Sequence, residues 1–417
     1  MKESSVHKKR KKILITEADV VGNKGAVAMV NCIVREVKKR IADAEFSVTS
    51  KYIREGIFQL DGIHALEILY DNEQAFDIPL FKLWIYWLLS KIGIRFGFLL
   101  KDKVLQTYFD SALVLSTSGI SFIDNYGLIP IYHYSKFLQL AFFSGTKVIK
   151  FTQSIGPFES QYNKLVAKLV LPNLKWIFVR GRHSEENLKS IGISRNVIQL
   201  PDIAMLLEAH PLDTFKTLRE NREGRVIIGI SPNTVCMHMD KRNVYMRALV
   251  EICEYFLKED NNAYILLIPH TIEGKSKGVD DDLSICRTIG DHLQYPNNFQ
   301  IIDTLNYSPE QTKYLISLCD FFIGSRFHAL VAALSSGVPS FAIGWHWKYQ
   351  ELMEWFEIQD NLVQVWELEI DALVRKLEKS FTDRDNQRMI MESRLADIKN
   401  RARKAIDIVI DELNETS

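Results

Sequence analysis

The chain has 417 residues, more than one hydrophobic core usually serves, so its length calls for two domains. A composition of 47% hydrophobic and 25% charged residues is that of an ordinary globular protein and excludes a disordered or fibrous one. Lys plus Arg and Asp plus Glu balance at 52 each, so no bulk charge draws the chain to nucleic acid, no such partner is expected, and anion recognition must be local.

In chain order, residues 1–12 form a basic tail, His7-Lys8-Lys9-Arg10-Lys11-Lys12 leading straight into the strand-like Ile13-Leu14-Ile15. No apolar signal core or small-residue cleavage site follows, which excludes a secretory signal. Strands are predicted at 13–16, 46–49, 66–70, 113–116, 148–153, 176–180 and 197–200, with helices such as 26–39 and 161–171 between them. The polar stretch 208–225 reads as a linker. Beyond it strands recur at 226–231, 264–269, 299–303, 321–324, 340–344 and 362–365, alternating with helices at 244–257, 310–318 and 327–335. The chain closes on a long charged helix within 383–417. Such alternation predicts an α/β protein of two doubly wound, Rossmann-like domains, 13–207 and 226–382, facing a shared cleft in the GT-B-like manner, with the last helix crossing back.

One segment stands apart. "LFKLWIYWLLSKIGIRFGFLL", residues 80–100, is strongly apolar but interrupted by Lys82, Lys91 and Arg95 and weakened by Gly93 and Gly97, so it does not read as a membrane span. It reads either as a buried hairpin of helices or apolar loop over the sheet, or as a peripheral membrane contact. The latter rests on Trp84, Tyr86 and Trp87, residue types that settle at headgroup level, although the charges do not fall on one helical face. The five cysteines, Cys32, Cys236, Cys253, Cys286 and Cys319, contain no CxxC pair. That argues against a disulfide framework or zinc ribbon and fits a cytoplasmic location, free or membrane-peripheral.

The segment that most invites chemistry is "GSRFHALVAAL", from Gly324. A strand runs into a helix there, with Ser325 as the expected N-cap and Arg326 to His328 in the first turn. A helix N-terminus favours an anion, Arg326 offers a planar fork for phosphate or carboxylate, and His328 is a candidate general acid or base. The competing reading pairs Arg326 with an acid and His328 with a backbone carbonyl. Weaker candidates are His270 after a strand and a proline, and Asn23 and Gln153 at strand ends, where they would bind sugar hydroxyls or cap turns. In "GWHWKY", residues 344–349, Trp345 could stack on a sugar and Lys348 reach an anion, or the tryptophans could pack a seam. No metal-ligand spacing appears, and no metal is expected.

"GSRFHALVAALSSGVPSFAIG" resembles the signature of the polysaccharide pyruvyl transferases, which carry Ser-Arg-x-His-Ala ahead of an Ala/Leu helix and a Gly-Val-Pro turn. In the same order "VGNKGAVAMV" resembles the family's Asn-x-Gly loop, "TQSIGPF" its Gln-x-Ile-Gly-Pro segment, and "VRGRHSEENLKSIGI" and "LPDIAMLL" its Arg-Asp-x-x-Ser and Pro-Asp elements. "IPHTIEG" and "VDDDL" resemble its second-domain loop. Two positions depart from the pattern: Gly181 stands where the family has an acid after the arginine, and Ala26 where many relatives place one.

The resemblance implies transfer of the carboxyvinyl group of phosphoenolpyruvate to a sugar diol as a pyruvate ketal, in surface polysaccharide biosynthesis. The partners would be phosphoenolpyruvate and a sugar or lipid-linked glycan acceptor, with no cofactor beyond that co-substrate. The first domain would be the acceptor side and the second the donor side. Arg326 and His328 would be catalytic; Arg180, Ser325 and Lys348 would join them in holding the donor, and Asn23, Gln153, His270 and Trp345 would meet the acceptor. Two alternatives remain at this stage. One is a nucleotide-sugar glycosyltransferase or epimerase, although no ribose-gripping Glu sits at the corresponding helix. The other is a non-catalytic regulatory relative.

Overall fold

A computed structural model describes residues 11–18, 20, 22–50, 66–70, 76–94, 96–124, 128–215, 218, 224–258, 262–272 and 281–415. Most of the basic tail, Arg95, and parts of the linker and of "IPHTIEG" and "VDDDL" lie outside them.

The first unit is built on a parallel sheet of β1 (Lys12–Thr16), β2 (Glu45–Ser50), β3 (Leu66–Tyr70), β4 (Leu113–Ser116), β5 (Ile120–Ser121), β6 (Lys147–Ile155), β7 (Trp176–Val179) and β8 (Val197–Gln199). Their order is β3-β2-β1-β4-β6-β7-β8, with β5 paired to β6. The second unit has β9 (Val226–Ser231), β10 (Ala263–Leu267), β11 (Phe299–Ile301), β12 (Phe321–Gly324), β13 (Ser340–Gly344) and β14 (Leu362–Gln364), in the order β11-β10-β9-β12-β13-β14. Every named pairing in that sheet is parallel. The strands are apolar along both faces, as helices packed on each side require: Ile228, Ile230, Ile265, Leu266, Phe321, Phe322 and Ile343 are all inaccessible to solvent. Each sheet is doubly wound, and its order reverses between β1 and β4 or between β9 and β12. At such a reversal the loops leaving the strand ends part, and doubly wound sheets take ligands there.

The unit boundaries differ from the expected ones in two places. The first unit comprises the described parts of Met1–Val21, Met29–Ile203 and Arg401–Ser417; the second, those of Gly22–Ala28 and Ala204–Asn400. The chain therefore passes over before the polar stretch 208–225. The cause is local bonding, since the Leu207 carbonyl accepts from Lys313 and the His210 N–H donates to the Glu310 carbonyl. The loop 22–28 belongs with the second sheet although it follows the first strand, because Asn23 bridges to Thr271 and Lys24 donates to the Tyr307 carbonyl. The last helix, Arg384–Glu415, crosses back as expected: residues from Arg401 onward count with the first unit. There Glu412 receives Lys147, Lys175 and the Trp176 indole.

The apolar segment after residue 76 is not a hairpin of helices. It forms one helix, Asp77–Lys91, and a short turn of 3-10 helix, Gly97–Leu100.

Candidate functional site

The second sheet gathers its polar residues at its point of reversal. After β12 the chain turns sharply, and Gly324 is required there: a Cβ would lie 2.6 Å from Leu330, which the helix Phe327–Ser335 folds back onto the strand end. Ser325 is not the N-cap. Arg326 occupies that position with extended backbone and no side-chain cap, leaving Ser325 wholly buried one residue earlier. The Ser325 N–H donates to the Ser231 carbonyl, and its own carbonyl accepts from Asn233 Nδ2 at 2.8 Å and the Tyr349 hydroxyl at 2.6 Å. Its role is to anchor the turn to β9 and to the helix Lys348–Trp355.

Arg326 takes the paired form foreseen as the alternative. Its Nε and Nη2 each lie 2.7 Å from a different oxygen of Asp282, and Nη2 also donates to Thr234 at 2.9 Å. Asp282 has no solvent exposure and also accepts from the backbone of Thr234 and Thr271. Burial pushes its carboxyl upward, while Arg326 pulls it back down. The two-pronged bond orients the guanidinium as a fixed planar group rather than a mobile one.

Around this pair stand three further basic side chains. A Cβ on Gly25 would lie only 2.1 Å from Nδ1 of His328 and 2.6 Å from its Cβ, so the first turn of the helix Lys24–Lys38 packs directly against the imidazole. Asn23 makes that approach possible by capping the helix Lys24–Lys38, its Oδ1 accepting from the N–H of Gly25 and Ala26. Lys24 is buried, and loss of hydration lowers its ammonium to about 8 despite the pull of Asp303. His270 is buried too; burial first, then the charges of His328, Lys24 and Arg326, hold it well below the ordinary histidine range. His270 is therefore neutral at pH 7, available as a hydrogen-bond partner but not as a counter-ion.

The aromatic group after β13 serves the lysine. Lys348 Nζ stands 4.3 Å above the Trp345 ring and within 5.6 Å of Phe327 and Tyr349. Trp345 is itself nearly buried, with Lys348 over one face, so it is arranged to position a cation rather than to stack on a sugar.

Two expected residues lie in the first unit and are bonded to neighbours there. Arg180 forms a buried ion pair with Asp202 at 2.5 Å and donates to the Gly119 carbonyl at 2.8 Å. Asp202 thus supplies Arg180 with a carboxylate where Gly181 offers none. Gln153, wholly buried, donates to the Ser116 carbonyl and accepts from the Ser121 hydroxyl, so both ends of its amide are engaged within the unit.

Beside Gln153 is a cluster that the sequence reading overlooks. Glu17, just past β1 at φ 60°, accepts from the Ser116 hydroxyl and has Lys150 Nζ 3.8 Å away. Burial raises the Glu17 carboxyl and lowers the Lys150 ammonium, so the two approach each other in proton affinity. Thr152 at φ 41° and Phe122 at φ 56° flank them, and left-handed backbone at three non-glycine residues is strain of the kind that gathers at functional sites. The available signal was a lysine between Ile149 and Phe151 inside a buried strand. Among the described residues no group of His, Cys, Asp or Glu is arranged to hold a metal ion.

Two parallel-sheet α/β domains are an architecture that the chain shares with glycosyltransferases and epimerases. The solved structures that resemble the chain are of that class. A glycosyltransferase from Rickettsia africae aligns with TM-score 0.58 at 11% identity, over 98% of each chain. The UDP-GlcNAc 2-epimerase of Neisseria meningitidis gives 0.55 at 14%, over 96% of this chain and 100% of that one. The UDP-GlcNAc 2-epimerase of Methanocaldococcus jannaschii gives 0.53 at 13%, over 88% and 92%. At such identities the likeness speaks for the fold alone. No curated protein matches the sequence. The sequence does match the polysaccharide pyruvyl transferase family over residues 23–346, and the chain belongs to that family.

Proposed function

We propose that the protein transfers the carboxyvinyl group of phosphoenolpyruvate to two hydroxyls of a sugar, forming a pyruvate ketal and releasing phosphate. The observation that carries this reading is the packing of His328 under Gly25, beside Lys24 and the Asp282-held Arg326, within the stretch matched to the family. Phosphoenolpyruvate bears a phosphate and a carboxylate, and a group of cations held in place suits both. Arg326 and Lys24 hold the anions, with Lys348 steadied by its aromatic neighbours as a third cation. The neutral His270 donates or accepts a hydrogen bond at the acceptor or donor.

In this reaction His328 gives a proton to the donor's methylene carbon, and the neighbouring carbon becomes oxocarbenium-like. An acceptor hydroxyl oxygen adds there, the bond to the phosphate oxygen breaks, and the second hydroxyl closes the ketal. Of the two protons the diol gives up, one restores the acid that built the new methyl group and the other leaves with phosphate. The cations that bind the donor also stabilise the departing phosphate. Phosphoenolpyruvate is the co-substrate, and turnover should survive a chelator. The acceptor is a unit of a surface polysaccharide or its lipid-linked precursor, and the reaction is cytoplasmic, which the five buried free cysteines support.

Acceptor-dependent phosphate release from phosphoenolpyruvate tests the reading. His328→Ala should lower kcat by at least about 100-fold, the usual scale for a lost general acid, with donor affinity changed little. Phosphate release unaffected by His328→Ala would refute the assignment.

A further inference from the structure

We infer that the first unit carries a docking surface for an anionic lipid bilayer, made by the helix Asp77–Lys91, the chain that follows it, and the end of the helix Leu128–Ser144. The helix Asp77–Lys91 buries Pro79, Leu80 and Leu83 against the unit. Its outer side is apolar as well. Ile78, Phe81, Trp84, Leu88 and Ile92 recur three or four residues apart and, at about 100° per residue, occupy roughly one third of the circumference. These five, with Ile94, Phe96 and Phe98 beyond the helix, are each 41–70% exposed. Phe142 widens the patch, joined to it through Phe143, which packs edge-on against Trp84 and Trp87. A helix apolar all round belongs in an interior, so an outer face of this kind calls for a partner.

The charges indicate which partner. Residues 78–101 contain four basic side chains and no Asp or Glu. Lys82 and Lys91 fall on opposite sides of the apolar arc. Lys82 is held by Asp102 at 3.1 Å, and Lys91 reaches along Trp87 with its ammonium 5.1 Å from the ring. An apolar arc between two lysines, with tryptophans at its border, suits the boundary between acyl chains and negatively charged headgroups. A second copy of the same face would set like charges against one another. The helix lies on the bilayer rather than across it: its 15 residues span about 22 Å, short of the roughly 30 Å hydrocarbon core. No helix among the described residues is long and apolar enough to cross a membrane.

The test is co-sedimentation of the full chain with vesicles of phosphatidylcholine alone and with one quarter phosphatidylglycerol. Binding should favour the anionic vesicles. The double change Trp84→Ser with Phe98→Ser should cut the bound fraction at least 10-fold while circular dichroism and sedimentation velocity stay as in the parent. The basic N-terminal tail is a second source of attraction, so the substitutions decide and the salt dependence does not. Absent or equal binding to both vesicle types, or binding indifferent to the substitutions, would overturn the inference. So would a parent dimer that the substitutions convert to monomer, which would assign the face to a second copy. Phosphate release from a soluble acceptor should be unchanged in the variant, so this result and that of the proposed reaction can be told apart.

Discussion

At Gly25 one missing side chain fixes the geometry of the candidate site. A methyl group there would meet both the ring and the Cβ of His328, and the Cβ cannot withdraw without moving its helix. Gly25→Ala should therefore destabilise the protein by about 1–3 kcal/mol, the usual cost of overpacking. It should also lower kcat/KM for phosphoenolpyruvate at least about 10-fold. Denaturant unfolding and steady-state kinetics read the two effects separately. Lys24 sets a pH limit. Lowered by burial to about 8, its ammonium is charged below that pH, where it would attract the proposed donor, and increasingly neutral above it. Accordingly kcat/KM for phosphoenolpyruvate should fall as pH rises through about 8, and Lys24→Met should abolish that limb while lowering the plateau. A limb that persists in Lys24→Met would belong to another group. Neither feature is visible in "VGNKGAVAMV" alone, where Gly25 reads as part of a loop and Lys24 draws no notice. Their roles arise from contacts to His328 and Tyr307, some 300 residues away.

At the scale of elements, the sequence was a close guide to the strands. The apolar runs at 321–324 and 340–344 coincide with β12 and β13, because a strand covered on both faces must be apolar throughout. The two residues of β5 were missed, since so short a bridge carries no periodicity. Pairing was less legible than position. Arg326 and His328 stand out in the sequence as chemistry-bearing, yet Asp282, 44 residues upstream, reads there only as part of an acidic loop. Similarly Arg180 reads as a donor contact and Gln153 as a sugar contact or a turn cap, and the sequence does not announce the partners each has within the first unit. The long C-terminal helix was recognised by its charge, and its function as a brace lies in the buried side chains Ala402, Ala405, Ile406, Val409 and Leu413. Ile406→Ala should cost the first unit about 2–4 kcal/mol in denaturant unfolding, within the range for emptying a buried aliphatic site. Calorimetric affinity for phosphoenolpyruvate, which the proposed function assigns to the second unit's residues, should remain within about twofold.

For the whole molecule, the polar clusters at the two sheet reversals differ in a way that bears on function. The second sheet's cluster is a set of cations arranged around one fixed ion pair, whereas the first sheet's is a buried Glu17–Lys150 couple in strained backbone. The fold alone would accommodate a nucleotide-sugar enzyme equally well, as the solved structures of that class make plain. Family membership and the cation set around His328 are what favour phosphoenolpyruvate. The most direct test is calorimetric titration of the purified protein with phosphoenolpyruvate and, separately, with UDP-GlcNAc. Saturable binding of phosphoenolpyruvate, weakened at least about 10-fold by Lys24→Met as expected for a lost charged contact, with no heat from UDP-GlcNAc, is the predicted result. Saturable binding of UDP-GlcNAc with none of phosphoenolpyruvate would contradict it.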